Sequence, residues 1–371
     1  MKIAVYTIAK NEAQFVKPWY DSAKEADYLL IADTGSTDDT VSLARSLGIV
    51  CHTITVDPWR FDDARNASLA ALPKDIDMCI ALDMDEVLIP GWRAHLEATK
   101  GNRIRYKYTW SWNPDGTPGL QYGGDKIHAR KGYRWKHPVH EVLIADRVEE
   151  IQEWCGLEIH HYPDNTKSRG QYLPLLAQSV IEDPTDDRNA FYYGRELYFY
   201  GQYDKAKKEL IRHLSLPRAT WKPERAASMR YIAKMSETIE EKLEWLTRAY
   251  NETNDRREPL VELAGLYYEQ RLWEACAFRA EQALAIKEKP LEYLCEEFAW
   301  GSLPQDYASI SHFELYKVAG TEEDKTFHLD KAIQYGTEAL QLSPNDLRLK
   351  ANLAFYLGEK HGNNIQDPGA V

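Results

Sequence analysis

The chain has 371 residues, of which 44% are hydrophobic and 28% are charged, and its formal net charge is −12. These proportions are those of soluble globular proteins, so they exclude a disordered, collagen-like or disulfide-rich chain. The length exceeds that of one typical domain of about 100–200 residues, so we expect two domains.

The five cysteines are far apart in the sequence, and none of them forms a C-x-x-C pair. An odd number at this spacing argues against a disulfide framework or a cysteine zinc site and favours a reducing compartment. The N-terminal residues indicate a strand without the apolar core of a signal peptide, and no stretch approaches the roughly 20 apolar residues of a membrane span. We therefore expect a cytoplasmic protein with its native start and no membrane insertion.

The first half of the chain alternates short apolar runs with polar amphipathic stretches, a rhythm that predicts βαβ units. The predicted strands are the apolar runs at 3–8, 28–32, 50–56 and 78–82. The second and fourth runs are apolar on both faces, as strands are that helices cover on each side. Ligands of open α/β sheets bind at the carboxyl ends of such strands.

Polar clusters follow three of these predicted strands. Asp83, Asp85 and Glu86 place three carboxylates in four residues after an apolar run. Unpaired buried charge is costly, so a cation is expected there, and carboxylate oxygens suit Mg²⁺ or Mn²⁺. D-x-D triplets also occur in solvated turns, which leaves the metal role open at this point. With the polar segments 7–12 and 33–39, the pattern indicates a binding crevice.

After about residue 167 the pattern becomes one of paired helices. Small and aromatic residues recur there at an offset of 70, which corresponds to two repeats of 35. The segments 201–206 and 339–345 resemble tetratricopeptide repeats most specifically, and an ordinary helical domain is the alternative. The predicted domains are an α/β domain at 1–167, helical repeats at 168–357 and a flexible tail at 358–371.

Four motifs along the first half resemble those of family 2 glycosyltransferases of the GT-A fold, including phage and bacterial members with a C-terminal tetratricopeptide domain. They are T-x-x-K-N-E at 7–12, D-x-G-S-T-D at 33–38, W-R-F-D-D-A-R-N at 59–66 and L-D-M-D-E at 82–86. The resemblance covers about residues 1–165. It implies a GT-A nucleotide-sugar domain and inverting transfer from a UDP-sugar such as UDP-glucose, with Mn²⁺ or Mg²⁺ as the metal.

The same resemblance assigns roles residue by residue. The residues that it places around the donor nucleotide are Thr7, Asn11, Glu12, Asp33, Ser36, Arg65, Asn66 and Asp83. The metal ligands that it implies are Asp85, Asp83 and His161. Arg65 is expected to face the diphosphate, where a cation would stabilise the developing charge. A structural histidine at a domain junction is the alternative for His161.

The segment 137–141 matches a His-Glu pair that follows a basic segment in related sequences. Glu141 is the candidate catalytic base, with His140 beside it, because a carboxylate within hydrogen-bond reach of an acceptor hydroxyl can take its proton. The alternative is that Glu141 forms an ion pair with Arg134 or Lys136.

Between residues 100 and 136 the chain has nine basic and two acidic residues, interleaved with aromatic ones. Such a mixture suits stacking on rings while holding phosphates, and glycines at 116–124 predict a flexible loop. The predicted acceptor-binding residues are Trp110, Trp112, Lys126, Arg130, Lys131, Arg134 and Trp135. Alternatively, the aromatic residues are core and the cations serve only the donor diphosphate.

The acceptor predicted first is a 5-hydroxymethylated pyrimidine in phage DNA, which the basic segment favours and which base extrusion would expose. In that case the cytoplasm would be that of the host. A polypeptide fits the helical repeats, whose concave face commonly binds protein, and a surface glycan such as lipopolysaccharide core fits related enzymes. The repeats are also expected to mediate protein contact or oligomerisation. A non-catalytic interaction protein with a degenerate nucleotide-sugar module is the remaining alternative, and the intact acidic motifs argue against it.

Overall fold

The computed structural model describes residues 1–164 and 170–362. The chain forms two compact units: the first contains Met1–Asn189 with Leu291–Tyr293, and the second contains Ala190–Pro290 and the chain from Leu294 onward. The predicted domain boundary at 167/168 lies outside the described residues. Of the predicted tail, residues 358–361 are helical, and those from 363 lie outside the described part of the chain.

A mixed sheet of eight strands forms the centre of the first unit, and a separate hairpin sheet has two more strands. The strands are β1 (Ile3–Ala9), β2 (Tyr28–Asp33), β3 (Val50–Thr53), β4 (Met78–Ala81), β5 (Glu86–Leu88), β6 (Arg103–Thr109), β7 (Gln121–Ala129), β8 (Tyr133–Lys136), β9 (Val142–Ala145) and β10 (Gln152–His161). The order in the larger sheet is β3-β2-β1-β4-β7-β6-β10-β5. The first four strands of that order are mutually parallel, and β7 is antiparallel to both neighbours.

Five helices lie wholly within the described residues of the first unit: α1 (Ala13–Ala23), α2 (Thr40–Ser46), α3 (Phe61–Ala71), α4 (Trp92–Glu97) and α5 (Tyr172–Glu182). Successive residues of β1 alternate between two apolar clusters. Ile3 and Val5 pack with Trp19 of α1, whereas Tyr6 packs with Leu69 of α3. Burial on both faces explains why all the residues of β1 except Thr7 are apolar or aromatic.

Helices form the second unit, which begins within α6 (Asp187–Phe199). The others are α7 (Tyr203–Ser215), α8 (Lys222–Lys234), α9 (Ile239–Glu252), α10 (Arg257–Glu269), α11 (Trp273–Ala285), α12 (Glu297–Trp300), α13 (Leu303–Val318), α14 (Glu322–Leu342) and α15 (Leu347–His361). Among the helices described, none combines the length and apolar character needed to cross a membrane. All five cysteines are free thiols.

The helical repeats follow the offset seen in the sequence. The pair α6–α7 and the pair α10–α11 begin and end at positions that differ by 70 residues. The turns match as well, because Gly201 has φ +70° and Arg271, at the corresponding position, has φ +55°. The predicted fold class, an α/β domain followed by an all-helical repeat region, is confirmed.

Candidate active site

Two loops are joined at the carboxyl ends of β1 and β2. The Asp33 carboxylate accepts the backbone N–H groups of Gly35 at 3.2 Å and Ser36 at 3.1 Å. Asn11, whose φ is +56°, accepts the N–H of Thr37 at 2.8 Å through its side-chain oxygen. The backbone N–H of Asn11 in turn donates to Ser36 Oγ at 2.9 Å. Asn11, Asp33 and Ser36, three of the residues predicted around the donor nucleotide, therefore lie together on one rim.

Thr7 and Glu12 support this rim from the β1 side. Thr7 is only 1% exposed, its hydroxyl donates to the carbonyl of Ile8 at 3.1 Å, and its own carbonyl accepts from Ser68 Oγ at 3.2 Å. The backbone N–H of Glu12 donates to Thr40 Oγ1 at 2.7 Å, which ties the loop to the start of α2. Thr7 thus lies beneath the rim and not on its surface.

Arg65 on α3 is buried between two carboxylates. Its Nη2 donates to Asp83 at 2.7 Å and its Nε donates to Glu141. The guanidinium also lies over the ring of Trp135, 4.9 Å from the centroid. Its Nη1 is buried and has no hydrogen-bond partner among the residues that the structure describes. A buried donor without a partner is costly, so Arg65 has a hydrogen-bonding group that the described residues leave unsatisfied.

Lys126 of β7 lies on the other side of Asp83. Its ammonium donates to Asp83 at 2.6 Å and to Glu86 at 3.1 Å, and Glu86 also accepts from the hydroxyl of Tyr108 at 2.7 Å. Removal from water by itself raises the pKa of Asp83, but the charges of Arg65 and Lys126 outweigh it and hold that pKa well below its usual range. Desolvation raises the pKa of Glu86, which Lys126 offsets only in part. Asp83 is therefore ionised and already paired with cations of the chain.

Asp85 and His161, which the resemblance implies as metal ligands, lie next to each other. His161 Nε2 lies 3.3 Å from an Asp85 oxygen, and His161 Nδ1 lies 2.9 Å from the carbonyl of Trp110. Since a carbonyl can only accept, Nδ1 carries a proton, which leaves Nε2 facing Asp85. Desolvation lowers the pKa of His161, but its hydrogen bond to Asp85 and that to Trp110 raise it above the usual value.

This pair fits a divalent cation. Metal-bound histidines usually donate their second ring N–H to a carbonyl or carboxylate, as His161 does to Trp110. The backbone N–H of Tyr162 also donates to the carbonyl of Asp85 at 2.8 Å, which fixes the two ligand-bearing segments together. A carboxylate and an imidazole suit Mn²⁺ better than Mg²⁺, which prefers oxygen ligands. Asp83, whose oxygens accept from Arg65 and Lys126, fits the metal site less well.

The segment between β8 and β9 holds Glu141 against Arg65. His137 and His140 have φ values of +88° and +49°, a conformation that is costly for residues other than glycine and is concentrated at functional sites. The carbonyl of Pro138 accepts the backbone N–H of Phe61 at the start of α3, at 2.9 Å. Glu141 is therefore positioned by a strained turn that is bonded to the helix carrying Arg65.

Glu141 pairs with Arg65, whereas the sequence suggested Arg134 or Lys136 as its partner. Lys136 pairs instead with Asp183 at 2.9 Å, and Arg134 is exposed on β8. The ring of His140 packs edge-on against Tyr172, with centroids 5.7 Å apart. The ion pair predicted as an alternative thus exists, but with Arg65.

The structure does not bring the predicted acceptor-binding residues together. Arg130 donates to the carbonyl of Leu72 at 3.0 Å, and its backbone N–H donates to Asp77, which precedes β4. Asp83 follows the other end of β4, so Arg130 and the exposed Lys131 lie at the opposite edge of the sheet from the carboxylates.

Trp135 belongs to the core. It is 2% exposed, and its indole N–H donates to the hydroxyl of Tyr6 at 2.9 Å. The Asn66 side chain exchanges two hydrogen bonds of 2.9 Å with the backbone of Trp135. The stacking role predicted for Trp135 is therefore wrong, because its ring is enclosed beneath Arg65. Asn66 is seen to join α3 to β8.

Comparison with solved structures gives partial matches to each half. No protein-family model matches the sequence. Over the helical half, a thermophilic tetratricopeptide protein of Thermus thermophilus is 15% identical with a TM-score of 0.33, covering 50% of this chain and 88% of that one. A chain of the anaphase-promoting-complex hetero-tetramer Cut9–Hcn1 is 16% identical with a TM-score of 0.38, covering 51% of this chain and 33% of that one.

Over the N-terminal part, the chain is similar to glucosyl-3-phosphoglycerate synthase from Mycobacterium tuberculosis, crystallised with Mn²⁺, UDP and phosphoglyceric acid. The identity is 27% and the TM-score is 0.25, and the match covers 29% of this chain and 43% of the synthase. The chain thus spans less than half of that enzyme and about a third of the Cut9–Hcn1 chain.

Proposed function

We propose that this protein is a metal-dependent, inverting glycosyltransferase that uses UDP-glucose or a similar nucleotide-diphosphate sugar. The observation that carries the proposal is the buried Arg65, which joins Asp83 to Glu141 and whose Nη1 has no hydrogen-bond partner among the described residues. A guanidinium next to a carboxylate that follows a parallel strand suits a diphosphate. Two residues beyond Asp83, the Asp85–His161 pair suits a divalent cation.

The donor nucleotide would lie on the rim formed by the loops after β1 and β2. Asn11, Asp33 and Ser36 shape that rim, and Thr7 and Glu12 hold it to the surrounding elements. Asn66 supports the site from α3 by its hydrogen bonds to the backbone of Trp135. Asp83 would contact the ribose or the metal. Asp85 and His161 would hold Mn²⁺ or Mg²⁺, which when bound supplies positive charge for the diphosphate leaving group.

The reaction assigned to the chain's own residues is a single displacement. Glu141 takes the proton of the acceptor hydroxyl, whose oxygen bonds to the anomeric carbon while the bond from that carbon to the diphosphate oxygen breaks. Arg65 orients Glu141 and stabilises the negative charge that the diphosphate gains. The acceptors that we consider are hydroxymethylated DNA, a polypeptide and a surface glycan, and the helical repeats would bind a protein partner.

The test is a UDP-release assay on the full chain with UDP-glucose and Mn²⁺, with and without hydroxymethylated DNA, plain DNA, a peptide pool and neutral saccharides. We expect metal-dependent release that one acceptor class stimulates and that Asp85→Ala and Glu141→Gln each reduce by at least about 100-fold. Asp75→Asn is the matched control, since Asp75 is exposed, pairs with Lys2 at 2.5 Å and precedes the other end of β4. A wild-type chain that neither binds UDP with Mn²⁺ nor releases it contradicts the proposal and favours a non-catalytic module.

A further inference from the structure

Two exposed aromatic rings and one half-buried ring lie beside the residues proposed to hold the metal. Trp110 is 37% exposed, and one face of its ring stacks on His161 with centroids 4.3 Å apart and an angle of 17°. Trp112 stacks on Tyr162 at 5.5 Å and 4°, and its indole N–H donates to the carbonyl of His161 at 3.0 Å. We call Trp110, Trp112 and Tyr162 the aromatic platform. It is attached to the metal-ligand pair through both the ring and the backbone of His161.

The platform is built on a hydrogen-bonded hairpin, where the glycines had predicted a flexible loop. Beyond β6 and before β7, the backbone N–H of Trp110 donates to Leu120 at 2.9 Å, and that of Gly119 donates to Ser111 at 2.8 Å. The chain reverses through Gly116, whose φ of +83° suits glycine. The two tryptophans are therefore held in place by the fold, and a ligand need not order them.

The charges around the platform do not favour a polyanion. Lys126 is paired with Asp83 and Glu86, and Lys107 is paired with Glu158 at 2.5 Å. Asp115 lies in the turn of the hairpin. Binding of nucleic acid depends on cations that neutralise its phosphates. Of the cations between residues 100 and 136, four are paired with carboxylates, namely Arg103, Lys107, Lys126 and Lys136. Arg105 packs on the ring of Trp154, and Arg130 and Lys131 lie at the opposite edge of the sheet.

We propose that the aromatic platform binds the acceptor as an uncharged sugar ring, with Trp110 as the stacking residue. This inference rests on the proposed function, because it names the acceptor class of that site. The C–H groups of a sugar carry partial positive charge and pack on the negative face of an aromatic ring, while its hydroxyls need polar partners at the edge. Ser111 and Asn113 provide neutral polar groups in the same hairpin. The platform lies beside the metal pair, so a hydroxyl of a stacked sugar would be close to the donor.

The donor also contains a sugar ring, so the test must separate binding of the donor sugar from binding of the acceptor sugar. We would measure KM for UDP-glucose and for the acceptor separately, using methyl glucoside, lactose and cellobiose as probes beside a hydroxymethylated oligonucleotide and a peptide. We expect a saccharide to stimulate UDP release, and Trp110→Ala to raise its KM about tenfold while the KM for UDP-glucose changes less than about twofold. Trp110→Phe should restore part of the loss.

Trp154→Ala is the matched control. Trp154 is an exposed tryptophan of the same sheet, but it packs on Arg105, whose guanidinium lies 5.4 Å from its ring, and not on His161. Saturation-transfer NMR with the same saccharides reports binding directly, on the wild-type chain and on Trp110→Ala.

Several outcomes overturn the inference while leaving the proposed function intact. They are stimulation by the oligonucleotide or the peptide alone, a rise in the UDP-glucose KM in place of the acceptor KM, an effect of Trp154→Ala equal to that of Trp110→Ala, and no saccharide binding by NMR. Absence of Mn²⁺-dependent UDP binding in the wild type is a different result, since it contradicts the proposed function itself.

Discussion

At the residue scale, the candidate site depends on charges that neutralise one another. Arg65 and Lys126 both pair with Asp83, and Arg65 also pairs with Glu141. Removing one partner of a buried ion pair leaves the other without compensation, which costs more than the pair itself contributes. These residues therefore affect stability as well as any chemistry, and the two effects need separate measurements.

Substitutions of Arg65 separate its effect on stability from its effect on activity. We expect Arg65→Met to reduce UDP release strongly and to lower the free energy of unfolding by about 3 kcal/mol, because Asp83 and Glu141 are left uncompensated. Arg65→Lys should recover part of the stability but little activity, since an ammonium cannot reproduce the forked contacts. Arg134→Met, at an exposed arginine of β8, is the control. Full activity in Arg65→Met would show that Arg65 has only a structural role.

A second residue-scale prediction concerns His128 of β7, which is buried beneath the site. Its Nε2 lies 3.0 Å from the hydroxyl of Tyr6 and its Nδ1 lies 2.8 Å from the carbonyl of Ala129. Burial lowers the pKa of His128 to about 3, from an ordinary value of 6.5. Between these two pH values the unfolded state takes up the proton and the folded state does not, so stability is lost as the pH falls.

The expected contribution is at most about 1.4 kcal/mol per pH unit between pH 6.5 and 3, with none lost above that range. It is measured as the difference in urea unfolding free energy between the wild type and His128→Gln, followed by tryptophan fluorescence. The carboxylates titrate equally in both proteins, so their contribution cancels in the difference between the two unfolding free energies. A difference that does not change from about pH 7 to about pH 4 would mean that His128 accepts a proton in the folded state.

At the element scale, the sequence predicted the parallel strands well and their antiparallel neighbours poorly. The runs at 3–8, 28–32 and 78–82 lie in or overlap β1, β2 and β4, because burial on both faces leaves a continuous apolar run. The pairing of β7 with β4 brings together residues about 50 positions apart. Local pattern carries no signal for such pairing, so the contact of Lys126 with Asp83 could not be predicted.

The sequence predicts that the glycines of β7 make the chain flexible. The structure gives another reason for glycine there, because aromatic rings lie too close to the backbone to leave room for a Cβ atom. A Cβ added at Gly124 would lie within 3.0 Å of several atoms of the buried Tyr106 side chain. We expect Gly124→Ala to lower the free energy of unfolding by about 1–3 kcal/mol through overpacking. Gly320→Ala, where no atom lies within 4 Å of an added Cβ, is the control. Equal thermal stability of the two variants would contradict this account.

At the scale of the whole molecule, several cations of the positive segment of the sequence are paired with carboxylates. Arg103 pairs with Asp125 and Glu150, and Lys107 pairs with Glu158. Glu150 and Glu158 come from beyond the segment, so a count of charges along 100–136 could not include them. The motifs at the carboxyl ends of β1, β2 and β4 were predictable because the parallel order of those strands places them at one edge. The Arg65–Glu141 pair was not, since it joins a helix to a distant hairpin.

The division into two units leads to a prediction about where a nucleotide acts. If UDP and Mn²⁺ bind at the proposed site, hydrogen exchange should slow in peptides that cover 7–12, 33–38 and 82–86, by up to about 100-fold when the ligand is at about 100 times its Kd. Peptides from α10 and α11, in the second unit, should be unchanged. Asp85→Ala should remove the Mn²⁺-dependent part of the protection, whereas Asp75→Asn should retain it. Protection confined to the helical repeats would place the nucleotide away from the carboxylates, because local protection requires that the ligand stabilise the segment that exchanges.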